Sequence, residues 1–185
     1  MRKLVTVVAS AWLLGVFLVA PLAAQDHLLI TEFVVTPTAG EFIEIYNPIN
    51  QAIDLSNYYL TDATFAGNPP AYYYNTVRGN GGGGGFADFN ARFPAGASIA
   101  PGAYQTIALN GSTNFMTTYA VAPTYELYED AAAADNIPDM REATTGSINR
   151  QGGLTNANEV IVLYFWDGAS DLVKDVDYVV WGAKA

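Results

Sequence analysis

The chain contains no cysteine, one histidine and few cations. Eight Lys and Arg stand against eighteen Asp and Glu in 185 residues. The missing cysteines exclude disulfide staples, thiolate metal sites, cysteine nucleophiles and a lipid attached through sulfur. The lone His27 lies near the start of the chain. It reads as a terminal or first-strand residue, and a His-dependent triad or zincin motif has nothing else to build on. Beyond the N-terminus no apolar run reaches the length needed to cross a membrane. No convincing amphipathic helix is present, and no internal repeat.

The first residues read as an export signal. Arg2 and Lys3 precede an apolar run from Leu4 to Ala20, and Leu22-Ala23-Ala24-Gln25 offers a small-residue cleavage site. Cleavage after Ala24 places the mature chain outside the cytoplasm, in the periplasm, at the cell surface or in the medium. An uncleaved membrane anchor is the alternative. Removing residues 1–24 takes two basic residues and no acidic ones, leaving six cations against eighteen anions, a charge of −12 with His27 neutral. That balance opposes binding to nucleic-acid phosphates and leaves carboxylates available for divalent cations.

The rest reads as short strands rich in Val, Ile, Tyr and Phe, separated by turn residues. Strands are expected at His27–Val35, Glu41–Tyr46, Tyr58–Thr61, Tyr72–Asn75, Ser98–Ile99, Tyr104–Leu109, Tyr125–Tyr128, Glu159–Trp166 and Val173–Val180. Trp166-Asp167-Gly168-Ala169 suits a hairpin joining the last two. The expected core is Leu29, Phe33, Ile43, Ile45, Leu60, Ile107, Ile161 and Leu163. Gly79-Asn80 and Gly81–Gly85 fit neither strand nor helix, because glycine loses the most backbone entropy on ordering. They read as the mobile tip of a long inserted loop over about residues 63–90. Without the Gly-Lys-Ser/Thr ending this is no phosphate loop. Residues 129–153 form a second, acidic and then Gly/Ser/Thr/Asn-rich loop, with room for one helical turn at Ala131–Ala134.

Three blocks resemble the lamin-tail domain family. The first is Leu28–Asp62, containing Ile30-Thr-Glu-Phe33, Glu41-Phe-Ile-Glu-Ile-Tyr-Asn-Pro48 and Ile53-Asp-Leu-Ser-Asn-Tyr-Tyr-Leu-Thr-Asp62. The second runs from Phe93-Pro-Ala-Gly96 through Ile99-Ala-Pro-Gly-Ala-Tyr104 to Leu109. The third is Asn158–Leu163 with Val176-Asp-Tyr-Val179. The resemblance implies an all-β, immunoglobulin-like Greek-key sandwich over residues 25–185, of the bacterial secreted type. It also implies scaffolding or interaction rather than catalysis, since the eukaryotic relatives are tails of nuclear intermediate filaments. The expected function is a non-catalytic exported binding module for a protein or cell-surface polymer. The alternative is the lamin-tail module of a longer secreted hydrolase or nuclease, because the chain stops directly after a strand.

Candidate sites are few. Glu129, Asp130, Asp135 and Asp139 supply hard oxygen ligands suited to calcium, although their spacing is not that of an EF-hand. Exposed tyrosines can stack on sugars or anchor a partner, which singles out Tyr58, Tyr72 and Tyr74. Glu41 and Glu44 alternate across one strand and cannot share a site, so acid/base use of these carboxylates is disfavoured. No catalytic residue and no obligatory cofactor is expected.

Overall fold

The computed structural model describes residues 25–64, 72–130 and 135–182. The leader (1–24) and the helical turn at 131–134 lie outside the described residues. Among the latter, the strands are β1 Leu29–Val34, β2 Phe42–Tyr46, β3 Ile53–Asp54, β4 Tyr58–Thr61, β5 Asn90–Arg92, β6 Ser98–Ile99, β7 Tyr104–Ala108, β8 Tyr125–Glu126, β9 Arg141–Glu142, β10 Asn158–Phe165 and β11 Lys174–Gly182. One α-helix, α1 (Ser112–Tyr119), and two 3-10 turns, Thr38–Gly40 and Tyr73–Arg78, interrupt them.

Two sheets face each other as an immunoglobulin-like sandwich. One has the order β1-β2-β7-β8, the other β11-β10-β4-β5-β9, and β3 pairs with β6 in a small ribbon. All pairings are antiparallel except β7 with β8. The alternation in β2 sends Ile43 and Ile45 inward, where they meet Ile107 of β7 and Leu60, Ile161 and Leu163 from the facing sheet, all fully buried. Each such side chain contributes about 1.5–3 kcal/mol on leaving water. The edge between β1 and β11 is closed by Phe33 stacked on Trp181 at 4.7 Å and by the Ile30 N–H donating to Asp177 Oδ2 at 2.7 Å.

The core departs from expectation at Leu29, which is only half-buried, whereas Leu28 is fully buried. The cause is an irregular register between Ile30 and Glu32 in β1. An extra residue there reverses the alternation, so Leu28 and Ile30 face the core before the break and Phe33 and Val35 after it.

Two further corrections involve aromatic residues outside the main core. The segment read as a strand at Tyr72–Asn75 enters a 3-10 turn, and Tyr73 packs over Tyr59, Val162 and Tyr164 on the outer face of the larger sheet. The helix α1 was not expected, since its sequence is Thr-rich with a weak apolar stripe. Phe115 and Tyr119, four apart on one helix face, both meet Phe42 edge-on at 5.5 Å on the outer face of the smaller sheet. Tertiary contact with Phe42 thus outweighs the modest helix propensity.

Candidate functional site

A buried polar hub organises the loops at one end of the larger sheet. Asn90 in β5 and Tyr164 in β10 are both fully buried. The Tyr164 hydroxyl donates to Asn90 Oδ1 at 2.8 Å and shares a hydrogen bond with Thr76 Oγ1 at 3.1 Å. Asn90 Nδ2 donates to Thr76 Oγ1 at 3.1 Å and to the Gly81 carbonyl. Burial raises the Tyr164 hydroxyl far above its ordinary pKa, so it remains a donor. These bonds tie the 3-10 turn and the glycine run to the sheet.

The glycine run is therefore packed, not a mobile tip. Gly81 and Gly82 are buried. Gly83 and Gly84 adopt φ of 82° and 77°. A Cβ on Gly83 would lie 2.6 Å from the Asn90 nitrogen, and one on Gly84 would strike the Gly146 carbonyl. Glycine is required here for close backbone approach as much as for left-handed geometry. Directly after this base the chain turns through Phe86 and Ala87, both at positive φ (59° and 69°), and the Phe86 side chain is 97% exposed. A fully exposed phenylalanine on an anchored loop, in a backbone region disfavoured for side chains, is an unusual presentation.

A second aromatic group lies on the 3-10 turn. Tyr72 and Tyr74 stack at 5.0 Å, and Tyr74 is exposed. Tyr73, Tyr74, Arg78, Leu172, Val173 and Asp175 line a groove of about 430 Å³. Tyr73 donates its hydroxyl to Asp175 Oδ1 at 2.8 Å, and Leu172 projects into solvent.

An acidic cluster gathers at the N-terminus of α1. Glu126 of β8 is completely buried, and its Oε2 accepts the Ser112 N–H at 2.7 Å. Ser112 Oγ donates to Asp135 Oδ2 at 2.7 Å, while the Asp135 N–H donates to Glu129 Oε2 at 3.2 Å. Carboxylate oxygens of Glu126, Glu129 and Asp135 lie within 4.8 Å of one another. Burial pushes the Glu126 acid up to about 7, against the bonds from Ser112. Asp139 is also raised, first by burial and then by the charge of Glu129.

The lamin tail domain family model matches residues 21–182. The chain belongs to the lamin tail domain family. A solved relative in fold is a DUF4876 family protein from Bacteroides thetaiotaomicron VPI-5482, with a TM-score of 0.57 and 15% identity. The likeness covers 85% of this chain and 54% of that one, so the lamin tail domain described here spans about half the length of its structural neighbour. Among curated proteins, none matches this sequence.

Within this lamin tail domain the residues singled out by sequence fall into separate places. Of the four acids, Glu129 and Asp135 come together, joined by Glu126. Asp130 turns instead to the Thr113 hydroxyl at 3.0 Å, at the start of α1. Glu126 carries no loop signal in the sequence, because it alternates within a strand between Tyr125 and Leu127. Tyr72 stacks on Tyr74, and Tyr74 lines the groove beside the 3-10 turn. Tyr58 is elsewhere, half-buried against Phe165 at 5.4 Å, in a different groove with His27 and Lys174. Phe86 was missed, since a residue beside five glycines reads as part of their loop.

Of the carboxylates in and beside β1 and β2, Glu41 lies apart while Glu32 and Glu44 face each other across the strands. Glu41 is buried and accepts the Leu154 N–H at 3.0 Å and Asn110 Nδ2 at 3.2 Å, which binds the start of β2 to two loops. Glu44 sits opposite Glu32 and accepts the Thr31 hydroxyl at 2.8 Å. The lamin tail domain family is non-catalytic and immunoglobulin-like. Among the described residues no helix is long and apolar enough to cross a membrane.

Proposed function

We propose that this lamin tail domain is a non-catalytic, exported interaction module that holds a protein or a cell-surface polymer. The observation that carries the reading is Phe86, an aromatic side chain 97% exposed on a loop whose base is packed against Asn90 and Ser147. Exposing a phenylalanine forgoes roughly 1.5–3 kcal/mol of burial, and a rigid aromatic anchor recovers that free energy when a partner covers it. The Tyr72–Tyr74 stack and Leu172 add a second exposed apolar area with Arg78 and Asp175 beside it for polar contacts. The charge of −12 keeps such a surface soluble and disfavours nucleic acid as the partner.

The test is sedimentation of the purified full chain with isolated cell envelopes, comparing the parent with Phe86→Ser and Tyr74→Ala. Phe86→Ser should melt within about 2 °C of the parent, because it removes no packed contact, while retention falls severalfold. Equal retention of the parent and Phe86→Ser would remove Phe86 as the anchor.

A further inference from the structure

We infer that Glu126, Glu129 and Asp135 form a calcium site joining β8 to the loop before β9 at the N-terminus of α1. This site is separate from the exposed aromatic surface. Acidic clusters are common on protein surfaces, but this one includes a carboxylate that is not at the surface. Glu126 is 0% exposed, and its Oε1 has no hydrogen-bond partner. Only Oε2 is used, by the Ser112 N–H. An ionised carboxylate stripped of water, with one oxygen left without a donor, is strongly disfavoured unless a cation or a proton reaches it.

The donor set selects among cations. Three carboxylates with no thiolate or imidazole among them suit a hard ion rather than zinc or copper. Two oxygens on one calcium, each at 2.3–2.6 Å, stand at most about 5 Å apart. Three oxygens lying within 4.8 Å of one another need an inward shift of no more than about half an ångström to meet one such ion. Asp135 arrives by way of a hydrogen bond from Ser112 Oγ, and its other oxygen accepts the Ile137 N–H at 2.6 Å. This bonding pre-orients the carboxylate and lowers the ordering required on binding.

Asp62 offers a useful contrast. Its Oδ2 is also buried without a partner, while its Oδ1 accepts the Phe89 N–H at 2.6 Å. No set of three ligand oxygens gathers around it among the described residues. Burial raises the Asp62 acid well above its usual value, which favours its protonated form. At Glu126 the competing account is a proton shared with Asp139, whose charge also acts on Glu126.

The experiment distinguishes the two. The full chain is stripped with EDTA, exchanged into buffer at pH 7.5, and titrated with calcium chloride by calorimetry. Melting is followed in 10 mM calcium chloride against magnesium chloride at equal ionic strength. The parent should take up one calcium and melt at least about 3 °C higher in calcium than in magnesium. Glu126→Gln keeps an oxygen for the Ser112 N–H but removes the charge, and should lose the uptake and the shift. Asp130→Asn should behave as the parent. If Glu126→Gln does not fold, Asp135→Asn replaces it with the same expectation. No calcium heat and no calcium-specific shift in the parent would overturn the site and leave the shared proton. Undiminished uptake by the folded charge-removing variant would overturn it as well.

Discussion

Removing the Asn90 side chain is the sharpest perturbation of this fold that leaves its apolar core intact. In Asn90→Ala the backbone bonds of β5 persist, including the Asn90 N–H to the Ser147 carbonyl at 2.9 Å. Three side-chain bonds disappear: those to Tyr164, Thr76 and the Gly81 carbonyl. The Tyr164 hydroxyl still has Thr76 Oγ1 at 3.1 Å, so the Gly81 carbonyl is the group left stranded in a buried site. One stranded buried acceptor costs about 1–3 kcal/mol, and the lost bonds add about 1 kcal/mol, giving a destabilisation of about 3 kcal/mol. Tyr164→Phe removes a single hydroxyl and should cost about 1–2 kcal/mol. In urea, with a slope of about 2 kcal/mol/M, the midpoints should fall by about 1.5 M for Asn90→Ala and by less than about 1 M for Tyr164→Phe. Amide exchange should accelerate most at Gly81–Gly85, because Asn90 ties that run to the sheet. A loss below about 1 kcal/mol for Asn90→Ala, or one smaller than that of Tyr164→Phe, would refute the hub as the anchor of the glycine loop.

Two further outcomes follow from the same physics. Gly84→Ala should destabilise by more than about 1–2 kcal/mol, since φ is 77° and the new Cβ meets the Gly146 carbonyl; Gly85→Ala, with nothing within 4 Å of a Cβ and no positive φ, should change stability by under about 0.5 kcal/mol by the same urea assay. Stability should also fall between pH 5 and pH 8. Burial first, then the Glu159 charge, raises Asp88 to about 6; burial raises Glu126 to about 7 and holds Asp62 well above its usual value. Acids raised in the folded state contribute fully below the unfolded pKa of about 4 and lose that contribution as pH climbs through the folded values. Asp54 and Glu142 are lowered, by hydrogen bonds from Ser56 and Gly146 respectively, and their contribution is already complete by pH 5. A melting temperature that rises from pH 5 to pH 8 in EDTA would contradict this assignment.

Strand content was legible wherever one face of a strand is buried and the other is not. The alternation of Phe42 to Tyr46, the run of β10 and the hairpin at Asp167-Gly168 all follow from local periodicity and turn chemistry, and the lamin-tail resemblance rests on those same segments. The short strands β3, β5 and β9 have two or three residues each, too few for a period to register. Alternation alone puts Leu29 inward, because a sequence does not show the irregular step between Ile30 and Glu32 that reverses it.

What the sequence determined by itself was therefore the class of fold, the absence of cysteine and the acidic balance, since these depend on composition and on neighbours two residues apart. What the tertiary structure decided was everything set by contacts between distant segments. Phe42 recruits Phe115 and Tyr119 and turns a Thr-rich stretch into α1. Asn90 and Ser147 hold a glycine run that would be conformationally free in isolation. Glu126, hidden in a strand, meets Glu129 and Asp135 only because β8 pairs with β7 and carries it under the first turn of α1. Sequence spacing carries no record of such meetings, because the free energy that favours them arises from burial and hydrogen bonding after the chain has closed.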